Sequence, residues 1–135
     1  MSFELHEKLA ADCEVLGDLD LCAALLMRDD RFPWVILVPR IAGLRDLHDL
    51  PRDRALDLFG EITAVSRALV DQYEAEKINV AALGNQVPQL HVHVIGRYTH
   101  DEAWPGPVWN VGPARDVDTF DVRARAVVLR DALGL

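Results

Sequence analysis

The stretch from Pro51 to about Glu76 constrains this chain most. Ala55, Leu58, Phe59, Ile62, Val65, Leu69 and Tyr73 recur at spacings of three and four, while Arg52, Asp53, Asp57, Glu61 and Arg67 fall largely on the other face. That is the period of an amphipathic helix. Pro51 stands where a first helical turn tolerates proline. A helix of roughly 25 residues with one apolar face needs a partner layer to bury it. Short runs of strand character supply that layer. Trp34 to Val38 is a continuous apolar run closed by Pro39, which predicts a strand buried on both faces. Glu14–Leu16 and Leu21–Met27 flank Gly17-Asp18 and predict a hairpin. Ile78–Leu83, ended by Gly84-Asn85, and Gln89–Ile95 predict two more strands. Phe3–Cys13 reads as a short helix, and Thr119–Leu133 as a tail helix with Val122, Ala126, Leu129 and Leu133 on one face. Arg28–Pro33, most of Ile41–Leu50 and Gly96–Pro113 read as irregular segments, with a short turn at Asp46–Leu50. The expected fold class is α+β: a largely antiparallel five-stranded sheet, one long helix and flanking short helices, in one domain over residues 1–135.

Charge and cysteine content narrow the function classes. Fourteen basic against 22 acidic residues give a net charge of −8. That argues against a nucleic-acid partner, whose binding face is normally basic. A small phosphorylated ligand stays open, because one local site can be positive in an acidic protein. The two cysteines, Cys13 and Cys22, form no C-x-x-C pair, which suits free thiols in a reducing compartment. The N-terminus is charged where a secretory leader is apolar, and no apolar run approaches the ~20 residues of a membrane span. A cytoplasmic protein without a membrane partner is the expectation.

Chemistry concentrates in Gln89-Leu90-His91-Val92-His93-Val94-Ile95. On a strand, alternate side chains share a face, so Gln89, His91 and His93 project to one side and Leu90, Val92 and Val94 to the core. Three readings fit that face. It is a solvated sheet surface, since half-exposed strands alternate in this way. It is a metal site, which needs a third ligand from His100 or a carboxylate. Or it is a phosphorus-directed nucleophile, with one imidazole attacking and the other orienting it or handling a proton. Gly84-Asn85-Gln86 lies just upstream; its glycine lets backbone approach a ligand, and its two amides can donate to phosphate oxygens.

Residues Asn79 to Arg97, with Gly84 and the alternating histidines, resemble the signature of the histidine triad (HIT) family. Trp34-Val35-Ile36-Leu37-Val38-Pro39-Arg40 is similar to that family's buried strand closing in a proline and a basic residue. The resemblance covers about residues 14 to 110. It implies that His91 forms a covalent nucleotidyl intermediate and that His93 acts around the α-phosphate. It also implies that Asn85 and Gln86 contact phosphate oxygens, with Gly84, Asn79 and Trp34 contributing to the nucleotide site. The implied activity is hydrolysis of a dinucleoside polyphosphate or nucleoside phosphoramidate, in a homodimer. No cofactor is obligatory, although a divalent metal can accompany a polyphosphate. A catalytically weak nucleotide-binding module of the same fold is the alternative. Two departures stand out. Gln89 occupies the first triad position, where it is expected to keep His91 oriented but cannot exchange a proton near neutrality. Trp34 stands where many members have histidine, either filling core or stacking on a base. Trp104 to Trp109 is expected to cap the core, and Arg97 either faces phosphate or pairs with an acid.

Overall fold

The hairpin around Gly17 is present in the computed structural model, which describes residues 2–115 and 119–135. Strand β1 (Cys13–Asp18) pairs antiparallel with β2 (Cys22–Met27), and β2 with β3 (Trp34–Pro39). Strand β5 (Val92–Arg97) lies between β3 and the edge strand β4 (Lys77–Ala81). The order β1-β2-β3-β5-β4 is antiparallel throughout, as the alternation of short strands and tight turns requires.

Each face of this sheet carries its own core. Helices α2 (Ala55–Tyr73) and α3 (Thr119–Leu133) cover one face. There Leu58, Val65 and Leu69 meet Leu26, Val35, Leu37, Val92 and Val94, joined by Val122, Ala126 and Leu129. Glu61 ties α2 to the hairpin by accepting the backbone N–H groups of Leu21 and Cys22, both at 2.8 Å. The opposite face buries Leu25, Phe32, Trp34, Ile36, Val38 and Ile95 under helix α1 (Glu7–Asp12), Val87 and Val108. Strand β3 contributes to both cores and is buried along its whole length, as its unbroken apolar run predicts. Gly96 is required where β5 passes the β2–β3 loop: a Cβ there would lie 2.7 Å from Pro33 Cγ. Both cysteines are buried free thiols, and burial pushes Cys13 up to about 12. Among the described residues no helix is long and apolar enough to cross a membrane.

Several boundaries differ from the sequence expectation. Helix α1 begins at Glu7, not Phe3; the His6 imidazole caps it by accepting the Lys8 N–H, while Phe3 and Leu5 pack against the second core without helical geometry. A 3-10 turn at Arg52–Arg54 precedes α2, and Pro51 caps that turn. Helix α2 stops where Glu74 turns left-handed at φ 54°. Strand β5 begins at Val92, so Gln89 and His91 precede the ladder. The segment expected to be irregular after β5 includes a 3-10 turn at Val108–Val111.

Candidate active site

The alternation read from the sequence puts Val92 and Val94 against the helices and His93 on the opposite face. That opposite face is not solvated. His91 and His93 are only 6% and 7% exposed, and their ring centroids lie 4.9 Å apart in an edge arrangement. Burying two imidazoles on one face costs free energy unless their polar atoms are paired. Each has one ring nitrogen paired.

His91 Nδ1 lies 2.6 Å from the Gln89 carbonyl oxygen. A carbonyl only accepts, so Nδ1 carries the hydrogen and the neutral ring keeps its lone pair on Nε2. His93 is in the reverse state. Its Nδ1 lies 3.0 Å from Trp34 Nε1. An indole N–H only donates, so His93 Nδ1 accepts and its hydrogen sits on Nε2. Burial, with the neighbouring His91 second, pushes His93 down to about 4. With His91 neutral, the pair offers one nucleophilic nitrogen and one N–H donor.

Gln89 acts differently from the sequence expectation. Its main-chain carbonyl orients His91. Its side chain turns to the N-terminal segment, where Oε1 accepts the His6 N–H at 2.9 Å and Nε2 donates to the Glu4 carbonyl at 2.8 Å. The amide therefore fastens residues 4–6 beside the motif and does not line the cavity described below.

A cavity of about 700 Å³ opens over this face. His91, His93, Gly84, Asn85 and Gln86 line one part of it. Gly84 adopts φ +70°, which only glycine takes readily. Asn85 and Gln86 are exposed on the strap that follows. The cavity continues across the sheet over Trp34 and Ile36 of β3 to Met27 at the end of β2 and Leu9 of α1. His93 pairs with Ile36, and Ile36 with Leu25 of β2. At about 4.8 Å per strand, the histidines stand about 10 Å from that apolar end.

Three features of the wall were not evident in the sequence. Trp109 stands edge-on to His93 with centroids 5.0 Å apart and remains 40% exposed; of its segment, Val108 is the residue that fills core. Arg31 and Asp29 form a buried bidentate pair at 2.7 and 2.9 Å, and Arg31 also donates to the carbonyls of Val111 and Pro113, holding Trp109's segment in place. Lys8 and Asp12 of α1 form an ion pair at the far rim. Arg31 and its carbonyl partners Val111 and Pro113 are 80 and 82 positions apart, so no local periodicity reveals that contact.

Asn79 and Arg97 lie outside the cavity lining. Arg97 is 1% exposed and donates to both Asp101 carboxylate oxygens, to Asn79 Oδ1 and to the Gly106 carbonyl. Asn79 serves Arg97, and Arg97 pairs with an acid. His100 is exposed beside Glu76, away from the histidine pair. Among the described residues, the one grouping of three potential metal ligands is Asp46, His48 and Asp49, on an exposed turn. It contains neither His91 nor His93.

Comparisons with known proteins bear on the fold and the family. Residues 8–100 match the HIT domain family model. The fold superposes on a histidine triad protein from Marinobacter aquaeolei at TM-score 0.95 and 45% identity, covering 99% of this chain and 98% of the other. A histidine triad protein from Bradyrhizobium japonicum superposes at TM-score 0.94 and 41% identity, covering 98% and 99%. A bis(5'-adenosyl)-triphosphatase from Saccharomyces cerevisiae is 36% identical over 69 residues, 47% of this chain. The chain matches about a third of that enzyme's length, 34%. With the family's sheet, helix and motif strand all in place, this chain belongs to the HIT domain family.

Proposed function

We infer that the protein is a nucleotide hydrolase that acts at an α-phosphate through a nucleotidyl intermediate on His91. The observation that carries this reading is the opposed tautomers of the two histidines. The Gln89 carbonyl leaves His91 Nε2 as a free nucleophile, while Trp34 leaves His93 Nε2–H as a donor. Attack on phosphorus needs a nucleophile beside donors aimed at the nonbridging oxygens. His93 supplies one donor, and Asn85 and Gln86 supply others from the strap. A phosphate held there leaves about 10 Å of cavity for a ribose and base, passing over Ile36 and ending on Leu9 and Met27. A divalent cation would enter with a polyphosphate as part of the substrate. Similarity to the triphosphatase supports a dinucleoside polyphosphate as the first substrate to try.

The test is intact-protein mass spectrometry after brief mixing with diadenosine triphosphate at mildly acidic pH. An adenylylated protein and release of AMP are expected. Bound nucleotide without adduct or turnover would sink the hydrolase and leave a binding module.

A homodimer is part of this proposal. Leu56 and Phe59 of α2 are 83% and 68% exposed, and Val80 on the edge strand β4 is 49% exposed. Exposed apolar residues on α2 and on an open strand edge favour a second copy. Sedimentation velocity is expected to give a dimer, and Phe59→Glu is expected to shift it toward monomer. A monomeric wild type at micromolar concentration would refute the dimer.

A further inference from the structure

Resting on the nucleotidyl-transfer reading above, we propose that Trp34 is a positioning residue that fixes His93 as a hydrogen-bond donor and withholds it from acid catalysis. The chain then favours α-phosphate bonds whose leaving group departs as a stable oxyanion, over bonds whose leaving group must first take a proton.

The argument begins with the indole. Trp34 is 4% exposed and His93 7%, so no water competes freely for their 3.0 Å contact. Protonating His93 at Nδ1 would set N–H against N–H in a buried site. Losing such a bond costs the desolvation of both groups. The ring cannot readily swing away, because Trp34 and Trp109 flank it at centroid distances of 5.7 and 5.0 Å. Burial beside His91 acts in the same direction and keeps His93 uncharged at neutral pH. A histidine in place of Trp34 could accept as well as donate; an indole cannot.

Among the described residues, no other group that lines the main cavity is placed to act as the acid. His91 is the nucleophile, and its Nδ1 hydrogen is held by the Gln89 carbonyl. The Gln89 amide is engaged with Glu4 and His6 and does not titrate. Lys8 pairs with Asp12, and Asp29 with Arg31; all belong to α1 or the β2–β3 loop, across β3 from the histidines. Arg28 in the same loop pairs with Glu14. His6, fastened beside the motif, accepts the Lys8 N–H at Nδ1 and does not line the main cavity, and His48 is the other imidazole near His91 among the described residues. It lines a separate cavity of about 240 Å³ that also reaches His91, and its side chain is 83% exposed.

The chemistry follows from this inventory. His91 Nε2 gives its lone pair to the α-phosphorus, forming the P–N bond as the bond to the leaving group breaks. With an anhydride the electron pair leaves on a phosphate oxygen, whose conjugate acid ionises at about pH 6. No proton is needed. With an alkyl phosphoramidate the pair goes to nitrogen, and the product amine keeps its proton up to about pH 10. That proton must come from solvent. In the second step water attacks phosphorus, the P–N bond breaks, its pair returns to His91 Nε2, and water's proton passes to bulk solvent.

The experiment compares kcat/KM at pH 7.5 for diadenosine triphosphate and an adenosine 5'-(N-alkyl)phosphoramidate. General acid help is typically worth about 10²–10⁴-fold, so a preference of at least about 10²-fold for the anhydride is expected, with amidate cleavage rising as pH falls. The Trp34→His variant is expected to shrink that preference at least about tenfold. Imidazole ¹⁵N spectra of the wild type are expected to show His93 as the Nε2–H tautomer from pH 5 to 8, and those of Trp34→Phe to show tautomer exchange and titration. A wild-type Nδ1–H tautomer, or equal kcat/KM on both substrates, would overturn the proposal and leave the His91 adduct standing. An amidate-only loss in His48→Gln would assign the acid to His48 and overturn it as well. Absence of adduct and turnover with either substrate would instead remove the hydrolase reading, and the spectra would still decide the tautomer.

Discussion

His91→Asn is expected to lower kcat on diadenosine triphosphate by at least about 10⁴-fold and to abolish the nucleotidyl adduct. The reason is the arrangement around Nε2. His91 is the one imidazole of the pair whose Nδ1 is tied to a carbonyl, so it alone presents a lone pair to the cavity. Removing the nucleophile from such a constellation typically erases nearly all acceleration above that of binding and charge stabilisation. A 10⁴-fold loss is about 5.5 kcal/mol of barrier. The substitution removes volume at the cavity wall just before β5, from a residue that belongs to neither core, so the thermal midpoint should move little. Binding of AMP should also change little, because Asn85, Gln86, His93 and the apolar end of the cavity are untouched. Calorimetric titration with AMP beside steady-state kinetics separates the two effects. More than a tenth of wild-type turnover remaining would mean that another group attacks phosphorus.

Asp101→Asn is expected to be the most damaging single change to stability among the polar residues discussed. The Asp101 carboxylate and the Arg97 guanidinium are 3% and 2% exposed and joined at 2.8 and 3.0 Å. The same carboxylate accepts the backbone N–H groups of Tyr98, Ala103 and Trp104. An asparagine there would point an amide at donors and leave Arg97 as a buried, uncompensated cation. Breaking a buried pair in this way costs about 3–5 kcal/mol, on the order of 10–20 °C in thermal midpoint for a domain of this size. Urea denaturation of both proteins measures it, and a loss below about 1 kcal/mol would contradict the role given to this pair. Acid should act on the same group. Burial alone would raise Asp101, but the Arg97 hydrogen bonds and the amide donors outweigh it and hold it down to about 2. Its contribution is therefore complete above the ordinary carboxylate range near pH 4 and is lost as pH falls toward 2.

The acid-labile pair also bears on the site. Arg97 reaches Asn79 and the Gly106 carbonyl, so it fixes the loop that leads to Val108 and Trp109. Trp109 in turn stands over His93. Weakening Asp101 should loosen this wall of the cavity before the sheet itself gives way, because β3 and β5 are buried on both faces.

Much of this arrangement is legible in the sequence, and the rest is illegible for definite reasons. The period of Ala55 to Tyr73 and the apolar run of Trp34 to Val38 determine the long helix and the central strand, since burial of one stripe or of both faces leaves a repeating local pattern. The alternation of His91 and His93 with Val92 and Val94 places both imidazoles on one face, and Gly84-Asn85-Gln86 marks the strap beside them. Local pattern cannot say what covers that face. Residues that meet across the sheet are far apart in the chain: Trp34 and His93 are 59 positions apart, Arg31 and Val111 are 80, Gln89 and Glu4 are 85. Only the tertiary fold decides that a tryptophan sets the tautomer of one histidine and that a main-chain carbonyl sets the other. Only the fold turns the glutamine's amide away to hold the N-terminus. Hydrogen-bond direction at an imidazole is a property of the partner it meets, and the strand pairing β3 to β5 brings that partner.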